Sequence, residues 1–186
     1  MRRCSAHNAA VPQLAGWENF YVIVGSSAGA LIGLQFVVIA LVSSIRPRAL
    51  STGARAFATP TIVFFSTVLL TAGLLSIPRE TRSWIGVELL AIGLVGTAYA
   101  AWVGHHIRKQ ESYEADRWDW AWFFIFPATA FVAFFVAGVT MWSNPGAALD
   151  VVAGATLLLL FIGVHNAWDG AVYMVANAPS DTPADH

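Results

Sequence analysis

The sequence predicts an all-α fold, an integral membrane bundle of five transmembrane helices, and three observations carry that prediction. The first is composition: the 186 residues are 57% hydrophobic and 11% charged, with a mean hydropathy of +0.62, whereas a soluble domain carries roughly a quarter charged residues. The second is a series of apolar runs near the roughly 20 residues needed to cross a hydrocarbon core of about 30 Å. The third is tryptophan placement, because indole rings favour the headgroup level and most of the eight tryptophans fall near the ends of those runs.

The runs predict helices over 18–45, 57–77, 84–107, 120–142 and 147–176, which leaves a loose arm at 1–16, a membrane domain at 17–177 and a short acidic tail at 178–186. The arm has Arg2 and Arg3 but no short apolar core ending in a small-residue cleavage site, so the first run reads as a retained helix. Each break has its own chemistry. RPRALSTGAR carries charge and Pro47, SIPRETRS carries Pro78, RKQESYEADRWD is polar throughout, and SNPG is a turn signal.

Helix one contains GSSAGALIG, which stacks Gly25, Gly29 and Gly33 on one face. In lipid, helices associate by close packing, and glycine lets backbones approach. Helix three repeats the device with Gly96, Ala100 and Gly104, and helix five with Gly163, Ala167 and Ala171. Packing within the chain explains all three stripes; a self-association face on helix one, giving a homo-oligomer, is the alternative. Helix two offers hydroxyls at Thr59, Ser66, Thr67, Thr71 and Ser76 that can bond to carbonyls. Helix four is nearly featureless, and its phenylalanines are expected to face lipid while Ala130, Ala133 and Ala137 face the bundle, with a kink at Pro127.

Basic residues set the orientation, since cytoplasmic loops hold the excess of Lys and Arg. Arg46, Arg48, Arg55, Arg108, Lys109 and Arg117 lie on one side and Arg2, Arg3, Arg79 and Arg82 on the other. This places the N-terminus outside and the C-terminus in the cytoplasm.

The polar residues then sort into two layers. Glu18, Glu88 and Asp150 lie near the outer ends of helices one, three and five, where the helix dipole favours negative charge; the functional alternative is an acidic rim that concentrates cations. The inner layer centres on HNAWD in helix five. His165 and Asp169 are four apart and share a face, and Asn166, Asp169 and Tyr173 form an adjacent stripe. His105 and His106 end helix three in the same layer, and Gln35 sits higher on helix one.

Three readings compete for this layer. One is a structural network, with Asp169 paired to a cation such as Arg108 or Lys109 and His165 to a carbonyl. The second is a proton or ion pathway, because an intramembrane ionisable residue is by default a site hypothesis. The third is a metal site from His105, His106, His165 and Asp169, which the divergent directions of adjacent histidines disfavour.

Other classes are disfavoured by what the chain lacks. Ten Lys plus Arg against eleven Asp plus Glu, with no basic tract, give nucleic acid no footprint. The lone Cys4 has no partner for an intramolecular disulfide. No phosphate loop, HExxH or nucleophile elbow is present, so neither an enzyme nor a cofactor is expected.

WENFYVIVGSSAGALIGLQFVVIALVSS, FATPTIVFFSTVLLTAGLLSIP and GVHNAWD together resemble a family of small bacterial polytopic membrane proteins with no assigned activity. The resemblance implies the bacterial inner membrane and carries over no site. The function expected is a scaffold or accessory membrane subunit whose partner is the bilayer. The alternative is an oligomeric channel or transporter for ions, protons or a small solute, with an inward polar cavity around His165 and Asp169.

Overall fold

The computed structural model describes residues 16–45, 52–78, 81–108 and 121–176. They form α1 (Glu18–Ile45), α2 (Thr52–Leu75), α3 (Arg82–Arg108), a five-residue π-helical turn (Ala121–Ile125) running directly into α4 (Phe126–Thr140), and α5 (Pro145–Ala176). The all-α bundle expected from the sequence is present. Four helical stretches are long and apolar enough to cross a membrane: Glu18–Leu41, Arg82–His105, Ala121–Thr140 and Pro145–Val172. The fifth, the apolar part of α2 at Thr59–Leu75, is shorter.

Local chemistry sets the element ends. Pro127 has no amide hydrogen to donate to the carbonyl of Phe123 and its ring crowds that carbonyl, so the wide turn at Ala121–Ile125 sits where an ordinary α-turn would clash. The SNPG break is a cap as well as a turn. Pro145 opens α5 with its φ already helical, and the Ala147 amide donates to Asn144 Oδ1 at 3.2 Å. Helix α2 ends at Leu75, with the Ser76 and Ile77 amides closing the last turn onto Ala72, Gly73 and Leu74 ahead of Pro78.

Packing order differs from chain order. Helix α1 packs on α2, α2 on α5, α5 on α4, and α4 on α3, whereas α2 and α3, although consecutive, hardly touch. The α3–α4 seam is the tightest, and glycines create it. A Cβ on Gly93 would overlap the Phe135 backbone, one on Gly96 the Phe131 ring, one on Gly104 would meet the Phe124 ring at 2.5 Å, and one on Gly138 the Leu90 amide nitrogen at 2.8 Å. Removing side-chain bulk there lets the two backbones close and dispersion contacts accumulate.

The core between the helices is filled by large apolar side chains. Phe64, Phe65 and Val68 come from α2, Phe131 and Phe134 from α4, and Leu149, Leu159 and Ile162 from α5. This corrects the expectation for helix four. Phe131 and Phe134 are buried, with Phe131 6.3 Å from the Phe64 ring, and Phe135 alone of the three is exposed. The glycine and alanine faces of α3 and α5 leave room that only a large ring fills, so the phenylalanines turn inward beside Ala130 and Ala137, with Ala133 half-buried.

Candidate functional site

The polar layer around HNAWD is built on α5. His165 Nε2 and Asp169 Oδ2 lie 3.0 Å apart, one helical turn from each other. His165 thus meets a carboxylate where a carbonyl was expected, while the cations expected for Asp169, the Arg108 side chain and Lys109, lie outside the described residues. With side chains 33% and 50% exposed, such a pair contributes only about 0.3–0.5 kcal/mol. Trp122, from the turn before α4, stacks on the His165 ring at 3.8 Å and 25° and also meets Phe126 and Phe161. The wide turn aims this indole across at α5.

Asn166 points the other way. It is 2% exposed, and neither amide atom has a hydrogen-bond partner among the described residues. An unsatisfied buried polar group costs about 1–3 kcal/mol, so Asn166 is the most expensive side chain in the layer. Gln35 is half-buried with its Oε1 also unpartnered. Because Gly25 faces Ala72 and Gly163 faces Phe65, the antiparallel registers bring Gln35 and Asn166 within about a turn of Ile62 in depth.

Of the remaining expected members, His105 is the one whose side chain is described. His105 is exposed at the end of α3. The side chains of His106, Arg108 and Tyr173 lie outside the described residues, as do Lys109, Trp118 and Trp120. No group of three His, Cys, Asp or Glu close enough to hold a metal occurs among the described residues. At the opposite end of the bundle, Glu18 and Asp150 are exposed and Glu88 is half-buried. Helices α1 and α3, which carry two of these acids, share no substantial packing.

Hydroxyls mostly serve their own helices. Ser27, Thr67, Ser76, Thr97, Thr129 and Thr140 each donate to the carbonyl four residues back, at 2.7–2.9 Å. Thr71 and Thr156 are fully buried with unpartnered hydroxyls. Between their level and Asn166 lie Phe65, Val68, Leu159 and Ile162, all buried.

The small-residue stripes divide. Gly96, Ala100 and Gly104 are buried in the α3–α4 seam, together with Gly93 and Gly86, the latter against the Trp142 ring. Gly86 and Gly93 were not singled out from the sequence, although their spacing of seven continues the same helical face. Gly163 packs on Phe65, and Ala167 and Ala171 are half-buried. On α1 only Gly25 is used, against Ala72 at 2.9 Å; an added Cβ on Gly29 or Gly33 meets nothing within 4 Å. Packing among the described residues therefore accounts for Gly25 but not for Gly29 or Gly33.

The gap between α2 and α3 is a groove of about 360 Å³. Its walls are Val63, Thr67 and Leu70 on one side and Ala91, Val95 and Tyr99 on the other. Phe131 closes its floor. No family model matches the chain, and neither a curated protein nor a solved structure is found similar to it.

Proposed function

We propose that the chain is an integral membrane protein of the bacterial inner membrane, with its N-terminus outside, acting as a scaffold or accessory subunit that offers α1 to a helix of another chain. The observation that carries this reading is the uneven use of α1. Only 17% of its span residues are buried, against 50% for α5, and the open side combines Gly29 and Gly33 with Val22, Leu34 and Val37. A small-residue groove flanked by branched apolar residues suits helix–helix packing in lipid, where close approach supplies the attraction. The filled core and the self-directed hydroxyls favour a packing role over a conducting one.

Cross-linking tests it. In a Cys4→Ser background, Gly33→Cys treated in membranes with a short bismaleimide should give one adduct of fixed mass, and Leu94→Cys, exposed on α3, should give none. A second copy is the first partner expected, so the adduct should be a dimer, and Gly29→Leu should abolish it. Monomer alone at both positions would refute the reading. The unpartnered amide of Asn166 beside the His165–Asp169 pair favours a second reading, an inward polar cavity serving ions, protons or a small solute.

A further inference from the structure

We infer that the groove between α2 and α3 holds one acyl chain of a phospholipid as a fixed ligand, an inference that rests on the membrane reading above. Three observations select this occupant. The first is shape. Val63, Thr67 and Leu70 follow one another at helical spacing along α2, as Ala91, Val95 and Tyr99 do along α3, so the trough runs parallel to the helices for about 10–12 Å. A linear chain fits it lengthwise.

The second is size. The trough has about 360 Å³ along this length, room for a run of methylenes. The volume is at the lower end of the range for small-molecule cavities, about 300–1,000 Å³.

The third is chemistry. The Thr67 hydroxyl is spent on the Val63 carbonyl at 2.9 Å, and the walls and the Phe131 floor are otherwise apolar apart from Tyr99. A ligand lying along this trough finds no hydrogen bond over most of its length, which excludes a polar solute and suits methylenes. Tyr99 stands at the α3 end of the trough nearer His105 and is, with Thr67, one of the two polar side chains of the lining. It is the one group able to meet the polar end of the chain.

The groove exists because α2 spends its packing face on α1 and α5 while α3 spends its own on α4. An empty trough would forfeit dispersion contacts along both walls, and at mid-bilayer depth hydrocarbon is what is at hand to restore them.

The test is native mass spectrometry of protein purified from vesicles of palmitoyl-oleoyl phosphatidylglycerol. Wild type should retain one lipid per chain under activation that strips the rest. Ala91→Phe and Val95→Trp, both at exposed groove positions, should reduce that 1:1 species at least fivefold. Leu94→Trp adds similar bulk at an exposed position outside the lining and should not. Equal retention in all four proteins, a featureless spread of lipid numbers, or dimers in place of lipid adducts would overturn the inference. Carbonate extraction of the same membranes separates the two levels: a chain released by carbonate defeats the membrane reading itself, whereas a chain that resists carbonate yet keeps no lipid defeats only the groove.

Discussion

Replacing Gly93 with alanine probes the α3–α4 seam at its narrowest point. The added Cβ would fall on the Phe135 backbone nitrogen and Cα, atoms that cannot rotate away as a side-chain tip can, so α4 as a whole must retreat. Overpacking of this kind costs about 1–3 kcal/mol, and the rigid neighbour places this site at the upper end. Alanine recovers about 1 kcal/mol of helix propensity relative to glycine, which leaves a net loss of about 2 kcal/mol. Gly33→Ala is the matched control: its Cβ meets nothing, so only the propensity gain remains and stability should be unchanged or higher by up to about 1 kcal/mol. Unfolding in mixed micelles by titrated denaturing detergent, followed by helical circular dichroism, reads both. If Gly93→Ala is as stable as Gly33→Ala, the close approach of α3 and α4 is wrong and the packing order built on it fails.

Other substitutions follow from the same packing. Asn166→Leu should leave stability unchanged or raise it by about 1–3 kcal/mol, since it removes a buried amide with no partner; a loss of more than about 1 kcal/mol in the same assay would mean that the amide is bonded to something, and would favour the polar-cavity reading. Phe131→Ala should cost about 3–5 kcal/mol, whereas Phe135→Ala, which keeps the Cβ facing Gly93 and loses only an exposed ring, should cost much less in parallel melts. Asn144→Ala should cost about 1 kcal/mol through loss of the α5 cap, and Asn144→Asp should restore most of it in thermal unfolding.

How much of this could be read from the sequence depends on polarity contrast. The helices announce themselves because apolar runs alternate with charged or proline-containing breaks, and the His165–Asp169 pair follows from a spacing of four on one helix. Which face of helix four is buried does not follow. Apart from Thr129, its residues from Phe126 to Val139 are apolar on every side, so no periodicity separates Phe131 from Phe135, and the answer lies in Gly93 and Gly96 on a different helix. Trp122 is similar: its partner is His165, remote in sequence, and only the wide turn before Pro127 aims one at the other. Helix α2 starts at Thr52, ahead of its apolar run, because TGARAFA has no residue that ends a helix before Pro60 and α2 carries Pro60 inside it. The open face of α1 was half legible. The glycine stripe was visible, but the use of Gly25 and not of Gly29 or Gly33 depends on where α2 crosses.

Ion flux through purified protein in liposomes, followed with potential- and pH-sensitive dyes, tests the central claim most directly: that the chain is a filled bundle offering faces to partners and lipid, with no path through it. Wild type and Asp169→Asn should both be silent for protons, alkali cations and halides while remaining folded. Flux in wild type that disappears in Asp169→Asn would contradict the claim and make the HNAWD segment the inner mouth of a pathway.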